Sequence, residues 1–195
     1  LYGSTEVGQV TIAGPADLRA DPATSGRPPA GTSLRILDDD GQPVADGTLG
    51  RIAVGGGTHF SGYTSGDSKE VVDGYMVTGD MGWIDADGRL RVAGRDDDMI
   101  VSGGENVYPR EVEDLLVGMD GVTDAAVVGV DDEAYGQALH AFVVRRPDTP
   151  IDANAVKAHV RDHLARFKVP RRVRFVDDLP RSATGKILRR ELPTA

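Results

Sequence analysis

The hydrophobic pattern of this chain changes period near residue 95, and that change constrains the fold more than any other feature. Before it, apolar and polar residues alternate in short runs closed by glycine turns, the period-two signature of half-buried strands. "GWIDADGRLRVAG" (82–94) alternates on both sides of Asp87-Gly88, a hairpin pattern. "SLRILDDDGQPV" (33–44) is a strand running into an Asp-Gly turn, and "LGRIAVGG" (49–56) is another strand. Glycine and proline are dense up to residue 31. Residues 1–94 are therefore expected to be loops and strands with little helix.

Beyond "GRDDD" (94–98) helical spacing appears. "DMIVSGG" (98–104) is a short strand ending in a glycine pair. Pro109 suits a first helical turn, and "REVEDLLVGM" follows with its acids early, where they favour the helix dipole. "DAAVVGVDD" and "QALHAFVVRR" read as neighbouring strands. In "DANAVKAHVRDHLARF" (152–167), Asp152 is an N-cap candidate, and Val156, Val160 and Leu164 form an apolar stripe. "RRVRFVDDL" is a last strand, and "KILRREL" (186–192) is expected to be a short terminal helix. The predicted class is α+β: a β-rich piece over 1–94, a boundary at 95–97, and a small α+β domain over 98–195 with a short sheet and flanking helices.

Bulk properties exclude several functions. No long apolar run is present, so no transmembrane helix is expected, and no signal peptide is visible. The chain has no cysteine, which removes disulfides and thiolate metal sites and fits a cytoplasmic home. A net charge of −9 argues against general nucleic-acid binding. The charge is uneven: residues 161–195 carry 10 basic and 4 acidic side chains. That tail either packs on acidic surface or meets a phosphate-bearing ligand. The chain starts "LYGSTEVG" without methionine and reads as part of something longer.

Several motifs fail on spacing. Gly185-Lys186 is followed by Ile187 with no glycine five positions before Gly185, so it is not a P-loop, and "GGGT" (55–58) has no following lysine. His159 and His163 stand at i, i+4 but lack a partner glutamate and a third zinc ligand. His59 and His140 are single histidines. "DDDG" (38–41) and "DADG" (85–88) place Ile36 or Trp83 at the first position of a calcium loop, so both are hairpin turns. There is no G-x-S-x-G nucleophile elbow.

Four segments stand out in order: "YGSTE" (2–6), "YMVTGD" (75–80), "GRDDDMIVSGGENVYPREVE" (94–113) and "PRSATGKILRREL" (180–192). Their order and spacing resemble the C-terminal motifs of the adenylate-forming superfamily of acyl-CoA synthetases, luciferases and peptide-synthetase adenylation domains. "GGENVYPREVE" looks most like the fatty acyl-CoA and aryl-CoA ligase branch. The resemblance makes 1–94 the end of a large adenylation domain, 95–97 a hinge and 98–195 a mobile lid. It implies an AMP-forming acid–thiol ligase that uses ATP, Mg²⁺ and CoA on a carboxylic acid, with a fatty acid expected. Aryl-CoA ligase, carrier-protein ligase and non-catalytic module are the alternatives, and peripheral membrane contact is left open. The family's upstream ATP loop is missing from this stretch, so the isolated chain is expected to be inactive.

The resemblance also carries residue roles. Lys186 matches the catalytic lysine, a compact ammonium suited to charge building between carboxylate and α-phosphate. Thr5 would meet phosphate oxygens, and Glu6 would ligate Mg²⁺. Tyr2 resembles the aromatic neighbour of adenine, Asp80 the acceptor of both ribose hydroxyls, and Arg95 a second ribose contact. Asp97 matches the hinge. Gly103 and Gly104 match the backbone past which the pantetheine arm runs. Basic residues from Arg161 to Arg174 could meet CoA phosphates or simply cover the core with their stems.

Overall fold

A computed structural model describes residues 1–56, 60–147 and 149–193, and the chain divides into two compact units, Leu1–Asp97 and Asp98–Ala195. His59 and the end of "GGGT" lie outside the described residues.

The first unit begins with an antiparallel hairpin of β1 (Tyr2–Ser4) and β2 (Gly8–Thr11), whose turn carries Thr5 and Glu6. The glycine- and proline-rich lead then forms α1 (Pro15–Ala20) where the sequence reading expects loop. Pro15 takes the first helical position, where a missing N–H costs nothing, and Asp17 accepts the Gly14 N–H at 3.0 Å. The alternating segments become β3 (Thr32–Leu37), β4 (Gly50–Gly56), β5 (Val71–Val72), β6 (Tyr75–Ile84) and β7 (Leu90–Arg95). They form one antiparallel sheet in the order β3-β4-β6-β5, with β7 also paired to β6. Alternation puts Ile52, Val54 and Met76 into a core with Val7, Val10, Ile36 and Leu90. Both Asp-Gly turns close hairpins, with Gly41 and Gly88 at positive φ.

In the second unit, β8 (Ile100–Ser102) and β9 (Glu105–Val107) form a hairpin, followed by α2 (Pro109–Val117). β10 (Val122–Asp132) and β11 (Gly136–Arg145) are a long antiparallel pair, as their neighbouring sequences imply. α3 (Ala153–His163) crosses over to β12 (Arg172–Val176), which runs parallel to β11. Asp152 caps α3 by accepting the Ala155 N–H at 2.8 Å. The helices cover one sheet face: Val112, Leu116, Val156 and Val160 pack on Ala125, Val127, Leu139 and Val143. On the opposite face Ala126 and Phe142 meet Leu179 and Leu192 from the C-terminal segment.

The terminal helix expected over 186–192 shrinks to one 3-10 turn, Arg189–Glu191. Ile187 is held in a bridge to Arg181, and the Leu188 N–H donates to Pro180 O at 2.7 Å, so these two residues are held out of a helix. Seven residues are also too few to overcome helix nucleation without strong packing.

Candidate functional site

In the first unit the strands bring Tyr2, Asp80 and Arg95 to one place. Register sets Asp80 on β6 directly opposite Arg95 on β7. The Tyr2 hydroxyl, delivered by β1, donates to Asp80 Oδ2 at 2.6 Å and stands 3.2 Å from Thr78 Oγ1. The buried Thr78 hydroxyl donates to Ile52 O and accepts the Asp80 N–H, both at 3.1 Å. Two residues therefore hold Asp80, Tyr2 through one carboxylate oxygen and Thr78 through the backbone N–H. Burial, reinforced by the charge of Asp80, pushes the Tyr2 phenol far above its ordinary range. Tyr2 is accordingly a fixed donor rather than an acid.

Arg95 grips Asp97 with both ends of its guanidinium, Nε to Oδ1 at 2.9 Å and Nη2 to Oδ2 at 3.0 Å, and stands 3.9 Å from Asp80 Oδ1. These hydrogen bonds hold the Asp97 carboxyl below the usual carboxylate range. The Arg95 and Asp97 side chains are 47% and 69% exposed, so the pair adds little stability. What it does is fix the last residue of the unit. Gly79 lies between Thr78 and Asp80 in the left-handed region, φ +83°, which lets the chain turn there and its carbonyl accept the Asp96 N–H at 3.0 Å.

Glu6 sits in the β1–β2 turn and accepts the Tyr63 hydroxyl at 2.7 Å. That bond, helped by Ser4, lowers its carboxyl to about 2, so Glu6 is ionised and presents a hard oxygen. Thr5 is exposed beside it in the same turn. Two contributors carry no sequence pattern. Tyr63 lies 57 positions from Glu6, and Lys69 donates to Thr78 O at 3.1 Å across the strand. Thr78 stands inside "TGD" and could have been singled out with it.

In the second unit Gly103 and Gly104 are the two turn residues of the β8–β9 hairpin, at φ +63° and +86°. Such a turn needs positive φ at both positions. Gly103 also donates its N–H to Tyr135 O at 2.8 Å, and a Cβ there would lie 3.1 Å from the Tyr135 ring. Beside it opens a cavity of about 640 Å³, with Gly103, Tyr135, Arg166, Phe167 and Arg171 among its walls. Of the basic run, Lys168 pairs with Glu111 and Arg171 with Asp132. The His159 and His163 rings rest 4.5 Å apart, and His163 Nδ1 contacts the His159 carbonyl at 2.8 Å. Among the described residues no cluster of three or more metal-ligating side chains occurs.

Lys186 lies at the end of a tight turn. The Ser182 N–H donates to Lys186 O at 2.8 Å, the Lys186 N–H donates to Ser182 Oγ at 3.2 Å, and Gly185 takes φ +83°. Its side chain is exposed, and its ammonium has no hydrogen-bond or ion-pair partner among the described residues. A hydrogen-bonded turn thus carries a lysine whose ammonium has no partner among the described residues.

Comparison with known proteins places this geometry. Residues 1–64 match the model of the AMP-binding enzyme family, and residues 111–186 match that of the AMP-binding enzyme C-terminal domain. A ligase from Mycobacterium tuberculosis, 3-[(3aS,4S,7aS)-7a-methyl-1,5-dioxo-octahydro-1H-inden-4-yl]propanoyl:CoA ligase, is 45% identical over 98% of this chain and 37% of its own length. A long-chain-fatty-acid–CoA ligase from Salmonella typhimurium is 38% identical over 98% of this chain and 34% of its own. The solved o-succinylbenzoate CoA synthetase of Bacillus subtilis, in complex with its acyl-adenylate intermediate, superposes with a TM-score of 0.91 at 33% identity, over 100% of this chain and 40% of that one. The chain thus spans 34–40% of the length of these relatives.

Proposed function

The chain belongs to the adenylate-forming family of AMP-binding enzymes, and from that premise we propose that it is the C-terminal part of an acid–thiol ligase. Such a ligase joins a carboxylic acid to ATP as acyl-adenylate, releases pyrophosphate, and passes the acyl group to the CoA thiol with loss of AMP. One observation carries the reading: the Asp80 carboxylate, oriented by Tyr2 and Thr78 and faced by Arg95, is a preorganised acceptor. Its two oxygens can take both hydroxyls of a ribose.

The remaining roles are those that the family resemblance implies, and the local geometry of each residue is compatible with them. Tyr2 spends its hydroxyl on Asp80, which leaves its ring to lie by the adenine. Thr5 offers a hydroxyl to phosphate oxygens. Glu6 is ionised and suits Mg²⁺, which prefers one or two carboxylates plus substrate phosphates and, when bound, neutralises phosphate charge. Lys186 meets the charge that builds on the α-phosphate. Gly103 and Gly104 give the pantetheine arm a path along bare backbone. Asp97 is the hinge, and residues 98–195 are the lid that presents these residues in turn.

For the acid we propose a hydrophobic carboxylate, a fatty acid on the strength of "GGENVYPREVE". The 45% identity to a ligase for a bicyclic propanoyl acid favours a ring-bearing acid as the second reading. On its own the chain should not adenylate any acid, since it spans only 34–40% of the length of the ligases it matches.

The test is a half-reaction split in the full-length enzyme. Lys186→Ala should slow carboxylate-dependent ATP–pyrophosphate exchange by roughly 10²–10³, the usual cost of one lost electrostatic donor. Thioester formation from supplied acyl-adenylate should survive. Equal loss in both would remove Lys186 from the first step.

A further inference from the structure

We infer that Arg189 is a positioning residue for Lys186, anchoring the lysine-bearing turn to Glu113 and to Asp98. The inference rests on the assignment of Lys186 above.

Glu113 on α2, 8% exposed, is the one charged residue buried among the described residues. A buried carboxylate is tolerated only when it is paired and hydrogen-bonded. Glu113 is both. Its Oε1 accepts the Val127 N–H of β10 at 2.7 Å, and its two oxygens accept Arg189 Nη2 at 2.9 and 2.8 Å. The other terminal nitrogen of Arg189, Nη1, reaches Asp98 Oδ2 at 3.3 Å. One planar guanidinium therefore spans two carboxylates on separate elements. An ammonium is a compact point charge and cannot hold both in a fixed plane.

Arg189 lies three residues after Lys186, and a second arginine grips the turn from the other side. Arg181 Nη1 donates to Gly185 O at 2.6 Å, and its Nη2 pairs with Asp124 of β10. Between these anchors Ile187 packs against the Phe142 cluster. If Arg189 moved, the Glu113 carboxylate would be left buried and unpaired. That penalty holds the backbone of residue 186 in place while its four-carbon stem stays free. Asp98, moreover, directly follows Asp97. A dihedral change at 97, the proposed hinge, would start next to the residue that pairs with Arg189.

Reaction chemistry tolerates little misplacement: about 1 Å can cost about 100-fold in rate. Arg189→Lys in the full-length enzyme should therefore lower ATP–pyrophosphate exchange about 100-fold. It should leave thioester formation from supplied acyl-adenylate unchanged, a split that a loss of stability would not produce. Asp98→Asn, at a half-exposed position, should fold normally and shift the same ratio in the same direction. Should Arg189→Lys not fold, the double variant Arg189→Met with Glu113→Leu removes both charges and strands neither; it should show the same split. If Lys186→Ala keeps full exchange, the functional reading falls, and this inference with it. If Lys186→Ala abolishes exchange while the Arg189 variants keep it, or lose both half-reactions alike, only the positioning role falls.

Discussion

At the residue scale, the tightest local arrangement is the Tyr2–Asp80–Thr78 set. Tyr2 has its phenol raised by burial first and by the Asp80 charge second. A phenol raised in the fold stabilises the folded chain fully at neutral pH. That contribution is lost only as pH climbs through the ordinary phenol range, about 10, and beyond. An ultraviolet titration should find Tyr2 still protonated after the exposed tyrosines have ionised. Asp80→Asn should bring its midpoint down without restoring the ordinary value, because burial remains; an unchanged midpoint would show that Asp80 does not contribute. The residues themselves were legible. Tyr2 and Asp80 stand in "YGSTE" and "YMVTGD", segments that alone read as ordinary turns and that the ordered resemblance to the family's motifs singles out. Their hydrogen bond spans 78 positions, and nothing local announces it. The same holds for Tyr63 on Glu6 and for Arg189 on Glu113. Long-range partners are chosen by sheet register and packing, which a single sequence does not print.

Elements were legible where one local rule dominated. Asp152 caps α3 because a short acid before an apolar stripe has few better uses, and the Asp-Gly pairs turn because glycine alone takes positive φ cheaply. Elements were misjudged where two rules competed. Pro15 reads as a breaker and acts as a helix starter, while Ile187 and Leu188 read as helix and are claimed by the bridge to Arg181 and the bond to Pro180. The β8–β9 hairpin lets one such rule be measured. Gly104 has open space around it, so Gly104→Ala should cost only the left-handed strain, about 1–2 kcal/mol. Gly103→Ala pays the same strain and also meets the Tyr135 ring at 3.1 Å, so it should be the more destabilising. Urea unfolding of both variants checks the order. The reverse order would mean that Tyr135 yields freely, and the aromatic wall of the neighbouring cavity would then be adjustable.

On the scale of the whole molecule, each unit buries its own core. Ile52, Val54 and Leu90 close the first, and Phe142, Val127 and Leu139 belong to the second. Among the described residues each buried cluster is built from one unit, which is what separate folding units need. The hinge proposed at Asp97 requires that independence: rotation of one body against another must not expose a core. The consequence can be measured with a single side chain. Phe142 is 1% exposed, and its removal leaves a cavity between the sheet and Leu179 and Leu192. Phe142→Ala should destabilise the second unit by about 3–5 kcal/mol. Effects at distant sites without shared partners add rather than couple, so the first unit should keep its stability. Hydrogen exchange read by mass spectrometry reports the two units separately in one experiment. Protection should fall across 98–193 and stay constant in β3, β4 and β6. If protection fell equally in both, the chain would unfold as one cooperative body, and Asp97 could not serve as a hinge between two rigid parts.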